Sequence, residues 1–263
     1  MKKKLVCLAA VLTLALSLAA CGSSNNNSGS TTGADPYASL QKVQDNMKTL
    51  KDAAFSLNIK MQLPSSMGGS MTLSGNGKMI EPSSAKPELV MHTKASVVGQ
   101  ETKQTVYMKD GIVYISAAGI KQKTSDPAQA SSVTNVQGML NFTKDMVSGL
   151  KSSKDGDNTK YSFSIKPDKM SAFFEKSANG STSALSAALG GIKFSKMDIV
   201  LTAGPDNMVK EVDLDAAMNI KAGSTSTSLS YTMAMVYTSI NTGITIQFPD
   251  FSQYKEISAT PNS

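Results

Sequence analysis

The sequence predicts an α+β fold: one large, curved antiparallel sheet of about ten strands with helices covering its concave face. Three observations carry this. Most of the chain beyond residue 50 alternates apolar and polar side chains with period two, short segments rich in Gly, Pro and Asp separate the alternating runs, and stretches of helical spacing are few.

The amino end stands outside that pattern. Lys2, Lys3 and Lys4 precede a charge-free apolar run from Leu5 to Leu18, broken only by Thr13 and Ser17. A basic start and a short apolar core are the features of a secretory leader, and the run is shorter than the roughly 20 residues a membrane-spanning helix needs. It closes in Leu18-Ala19-Ala20-Cys21-Gly22, which looks like a lipobox: small residues fit a peptidase groove, and the thiol is the nucleophile that takes up diacylglycerol. The expected organisation is a signal peptide over 1–20, a lipidated Cys21 and flexible tether over 21–35, one folded domain over 36–252 and a tail over 253–263. The tether has almost no apolar side chain to bury, so it has nothing with which to offset the entropy of ordering.

Charge and composition narrow the function classes. The chain of 263 residues carries a formal charge of +6, and loss of the three leader lysines leaves the mature protein near +3. All 26 basic residues are lysine, which argues against nucleic-acid recognition, where the planar guanidinium is favoured. The two cysteines are Cys7, inside the leader, and Cys21, so the mature domain has no thiol for a disulfide, a metal or a nucleophile.

Each element then follows from its spacing. Tyr37, Leu40, Val43, Met47 and Leu50 form a helical stripe, with Asp35 as N-cap and Pro36 at the first position. Phe55, Leu57, Ile59, Met61 and Leu63 alternate with polar residues, the mark of a strand with one buried and one wet face. The alternation recurs in Met71–Met79 and Leu89–Val97, and Gln100–Met108 and Ile112–Ser116 flank the hairpin dipeptide Asp110-Gly111. Val133 to Lys151 has helical spacing despite Gly138 and Gly149. A short strand at Tyr161–Ile165 and a helix capped by Asp168 come next, then strands over Ile192–Thr202, Val212–Ile220 and Leu229–Tyr237. A last strand through Ile244, Ile246 and Phe248 is stopped by Pro249.

Ten strands at about 4.8 Å span nearly 50 Å, whereas three helices of about 10 Å cover roughly 30 Å. The sheet is therefore expected to curl, bending at Gly75 and Gly77, and to leave a cavity beneath it. This layout resembles the LolA/LppX-like lipoproteins: a lipobox, a helix, five strands, a helical insertion, further strands and a Pro-terminated end. The Met-rich strands, the Val106-Tyr107-Met108-Lys109-Asp110-Gly111 turn and the closing Gln247-Phe248-Pro249-Asp250-Phe251 resemble a widespread Gram-positive branch of that group. The resemblance implies a half-open β-barrel whose cavity binds acyl chains or lipoproteins, on the extracytoplasmic face of a cell membrane.

The expected apolar lining is Phe55, Leu57, Ile59, Met61, Met71, Leu73, Met91, Met218, Tyr231, Met233 and Met235. Methionine is flexible and polarizable and suits variable apolar partners, though it also packs ordinary cores, and both readings stand at this level. Nothing points to catalysis, a cofactor or a resident metal. His92, the single histidine, falls on a polar face; Glu211, Asp213 and Asp215 form a small acidic ridge; and Gly75-Asn76-Gly77 has no helix after it to make a phosphate loop. The expected function is a membrane-anchored lipoprotein that binds or carries a lipid or other apolar ligand. The alternative is an envelope protein-interaction or cell-wall module with a filled core, using loops such as 64–70 and 177–191.

Overall fold

The computed structural model describes residues 35–64, 69–97, 99–125, 140–177, 192–222 and 225–257. The leader, Cys21, the tether to residue 34, most of the two loops named above and the last six residues lie outside the described residues. No described helix is long and apolar enough to cross a membrane.

Among the described residues twelve strands form one open, curved sheet in the order β12-β6-β5-β4-β3-β2-β1-β11-β10-β9-β8-β7. Five are β1 (Asp52–Gln62), β2 (Ser70–Ile80), β3 (Glu88–Val97), β4 (Gln100–Lys109) and β5 (Ile112–Ala117). The others are β6 (Ile120–Thr124), β7 (Val147–Asp155), β8 (Asn158–Ile165), β9 (Ile192–Ala203), β10 (Val209–Ala222), β11 (Thr225–Ile240) and β12 (Lys255–Glu256). Each of β1–β6 neighbours the next, as does each of β7–β11, so two antiparallel meanders meet along a central β1–β11 seam. β12 pairs in parallel with β6.

The period-two readings hold. Along β1, Ala53, Phe55, Leu57 and Ile59 are buried while Asn58, Lys60 and Gln62 are exposed, and the register carries this parity across the sheet, so one face is predominantly apolar. We call it the inner face. Helix α1 (Pro36–Met47) starts as expected, with the Asp35 carboxylate accepting from the Tyr37 N–H at 3.0 Å. Leu40, Val43 and Met47 point inward and are buried, each stabilising the docked helix by roughly 2 kcal/mol.

Several expectations are corrected. Where residues 141–151 are expected to be helical, 141–146 are coil and turn, and β7 follows. Val133–Met139 lie outside the described residues. Strand β7 is the free edge of the sheet, largely exposed, with Lys151 and Lys154 along it and a bulge between Ser148 and Lys151 where Gly149 takes φ +65°. Charged and bulged edges resist pairing with another chain. The second helix, α2 (Met170–Ser177), is preceded by a 3-10 turn, Pro167–Lys169, that contains Asp168; the cap position is Lys166 and its side chain makes no cap bond. A tight turn at Ala118-Gly119, with φ of 49° and 79°, adds β6.

The segment 243–250 is not a strand. After β11 the chain turns at Asn241 and runs as a strap across the outer face. The Lys78 ammonium donates to the Thr245 carbonyl at 3.4 Å, Phe251 stacks on Tyr114 at 3.7 Å and meets Tyr107 edge-on at 5.7 Å, and β12 then pairs along the edge strand β6. Its root is held by Asp52, 7% exposed, whose carboxylate accepts from the N–H groups of Thr242 at 2.9 Å and Gly243 at 3.1 Å. The Asp52 carbonyl accepts from the Asn241 N–H at 2.8 Å.

Gly75 and Gly77 are places of close approach rather than free bending points. A Cβ on Gly75 would lie 2.5 Å from the His92 carbonyl oxygen, and one on Gly77 would lie 2.6 Å from Phe55 Cζ. The Phe55 ring lies across its cross-strand partner Gly77, covering the backbone that a glycine leaves bare.

Candidate functional site

The register assembles the expected lining on one face. Leu57 faces Met235, Ile59 faces Met233 and Met61 faces Tyr231 across the seam, while Ile59 faces Leu73 and Met61 faces Met71 on the other side of β1. Met91 lies one strand further out, opposite Gly77. Met218 is apart from this group, on β10 opposite Leu229. All are buried except Met61, which is half-buried against the same core.

The hydrogen bonds and ring contacts of the helices are made to one side of this group. Phe142 stacks with Phe173 of α2 at 5.3 Å and meets Phe163 of β8 edge-on at 4.9 Å. Met47 of α1 accepts the Val209 N–H of β10 at 3.4 Å, and Gln44 donates to the carbonyls of Leu140 and Phe142 at 2.5 and 3.0 Å. These packing contacts of α1 and α2 fall on the β7–β10 half. Between α1 and residues 140–143 is a cleft of about 390 Å³ lined by Tyr37, Gln41, Asp45, Lys48 and Thr143 among others. Its lining is mixed, with Met47, Leu140 and Phe142 beside the Lys48–Asp45 ion pair at 2.6 Å, less apolar than the inner face.

On β1–β5 and β11 the positions at inner parity carry no charged side chain, from Ala53 and Met79 to Met108 and Tyr237. Polar groups there are few. Thr93 Oγ1 donates to the Gln104 main-chain carbonyl at 3.4 Å, but the Gln104 side-chain amide has no hydrogen-bond partner among the described residues. The Tyr237 hydroxyl, on a residue 6% exposed, has none among them either. Burial alone pushes the phenols of Tyr231 and Tyr237 well above their ordinary range. A buried hydroxyl without a partner costs about 1–3 kcal/mol. Tyr237→Phe is therefore expected to stabilise the fold by about 1 kcal/mol, raising Tm by roughly 3 °C in thermal unfolding followed by circular dichroism. A lower Tm would mean that the hydroxyl is bonded.

The polar candidates take structural roles. His92 is exposed and its Nδ1 lies 3.1 Å from Thr105 Oγ1. Lys196 bridges Asp215 at 2.5 Å and Asp198 at 3.2 Å, occupying the place a cation would take on the acidic ridge. Burial, and then the charge of Glu211, raises the Asp213 carboxyl above its ordinary value, with Lys160 opposing. No group of three His, Cys or carboxylate side chains among the described residues is arranged to hold a metal. Sequence reasoning missed Gln104 and Tyr237. Their parity was readable in the alternation, but their lack of partners required the register.

The fold and this face define a class of protein: one open sheet with a largely apolar inner wall against which helices pack. Residues 38–252 match the model of a family of unknown function, DUF6612, and the chain belongs to that family. No curated protein matches the sequence. Among solved structures it is similar to the lipoprotein LppX of Mycobacterium tuberculosis at 12% identity, covering 81% of this chain and 100% of that one with a TM-score of 0.46. LprF of Mycobacterium bovis matches at 13% identity, over 81% and 96% of the two chains, with a TM-score of 0.44. An outer-membrane lipoprotein-sorting domain from Vibrio parahaemolyticus matches at 9% identity, over 80% and 95%, with a TM-score of 0.26. Each is a likeness of layout only.

Proposed function

We propose that the mature chain is a lipoprotein, anchored through Cys21 to the outer face of a cell membrane, that binds a lipid or other apolar ligand against the inner face of its sheet. The domain over 36–252 is the binding unit, and 21–35 is its tether. The observation that carries this reading is the uncharged inner face of β1–β5 and β11, rich in Met and aliphatic side chains. Burying apolar ligand surface there supplies affinity without directional bonds, and methionines adapt to chains of differing shape.

A second reading, an envelope protein-interaction or cell-wall module with a filled core, is favoured by one observation. Phe55, Leu57, Met91 and Met233 are each no more than 6% exposed within one continuous cluster. Native mass spectrometry of the protein purified from membranes separates the two. Co-purifying lipid that exchanges with added lipid supports the binding reading; a mass that stays bare under every lipid challenge supports the module.

For the anchor, Cys21→Ser is expected to leave unprocessed precursor or release the protein to the medium, with loss of palmitate labelling. Labelling equal to that of the unaltered chain would remove the anchor from the proposal.

A further inference from the structure

Gln104 lies on β4 at inner parity and is 4% exposed. An amide carries two N–H donors and one carbonyl acceptor, and those of Gln104 have no partner among the described residues. The Thr93 hydroxyl reaches its main-chain carbonyl rather than the amide. Buried amides without partners are costly and rare, so each calls for a physical reason.

The surroundings supply one. Across the sheet Gln104 stands in the row Gly75, Thr93, Gln104, Ala117. The adjacent row is Gly77, Met91, Val106, Ile115, and the Phe55 ring covers its glycine. On the other side lie Leu73, Ala95 and Thr102. Small side chains therefore flank Gln104 along its own row, in a wall otherwise built of Met, Leu and Phe. The positions at inner parity nearby include no Lys, Asp or Glu to pair with a charged group.

We infer that Gln104 is the polar anchor of the ligand site, and that the ligand is an uncharged lipid whose head places an ester carbonyl beside a hydroxyl, as in an acylglycerol. This rests on the ligand-binding reading above. The ester carbonyl accepts from Gln104 Nε2 and the hydroxyl donates to Oε1, which satisfies both ends of the amide. The acyl chains extend over Met91, Leu73 and Met233. A phosphate or free carboxylate would lose its hydration here with no counter-ion to compensate, so the site discriminates by head-group charge.

The test titrates the full chain, purified from membranes, with dioleoylglycerol, with squalene as a hydrocarbon lacking any hydrogen-bonding group, and with dioleoyl phosphatidate, all read by native mass spectrometry. Dioleoylglycerol is expected to bind the unaltered chain at least tenfold more tightly than the phosphatidate. Gln104→Leu should weaken dioleoylglycerol by about tenfold, equivalent to about 1.4 kcal/mol, and leave squalene unchanged. Gln104→Met, which keeps the length of the side chain, should behave alike, and both variants should melt at or above the Tm of the unaltered chain. Dioleoylglycerol affinity untouched by either variant, or squalene weakened in parallel, would overturn the role of Gln104 while leaving ligand binding intact. Phosphatidate binding as well as dioleoylglycerol would overturn the uncharged head. Failure of all three probes on the unaltered chain would instead remove the ligand-binding reading on which the inference stands.

Discussion

Asp52→Ala is expected to destabilise the protein by about 4 kcal/mol and to free the strap from the outer face. The carboxylate is nearly inaccessible and receives two backbone N–H groups, those of Thr242 and Gly243. Hydrogen bonds to a charged acceptor contribute about 1.5–3 kcal/mol each, and a domain holds only about 5–15 kcal/mol in total. The loss also leaves both amides without an acceptor at a turn where Asn241 already takes φ +53°. Asp52→Asn keeps one carbonyl oxygen and should recover part of the loss. Urea unfolding gives the energy, and hydrogen exchange over 241–257 should rise in step with it. Unchanged exchange in the strap of the alanine variant would show that the aromatic contacts alone hold it.

The second large effect concerns Gly75. Valine there puts a Cβ 2.5 Å from the His92 carbonyl oxygen, a backbone atom fixed by the β2–β3 ladder. Only a displacement of one strand against the other relieves the clash, so a cost of about 3 kcal/mol or more is expected, at the upper end of overpacking penalties. Ser74→Val, one residue away on the exposed outer face, is the control and should stay within about 0.5 kcal/mol of the starting protein. Equal midpoints for the two variants in denaturant would refute the close approach at Gly75.

How legible these features are in the sequence differs by element. Strand β1 was readable because one side is buried and the other wet, so side-chain period and backbone period coincide. Strand β7 was not: at a sheet edge neither side needs apolar residues, and the bulge at Gly149 shifts the phase, leaving Met146, Val147 and Leu150 in a spacing that mimics a helix. Ile244, Ile246 and Phe248 alternate because the strap is extended against the outer face, and alternation reports extension, not pairing. The inner face was legible as a set of residues, since parity alone assigns it. The unsatisfied Gln104 was not, because it depends on which side chains stand beside it across strands far apart in sequence.

The central seam also bears on how the chain reaches this state. Each meander joins strands that follow one another, so its hairpins, apart from the β8–β9 connection through α2, close over short loops and form early. The seam joins residues from Gln62 and Ser230 to Ala53 and Ile240, and the Asp52 clamp joins residues 190 apart; contacts of such separation are slow to form because loop closure comes before any reward. Until residue 240 is available, β1 has no partner on one side. Synthesis or export from the amino end therefore keeps the two halves apart until nearly the whole chain has emerged, and seam formation is the step at which delayed folding would expose an unpaired, apolar strand to aggregation.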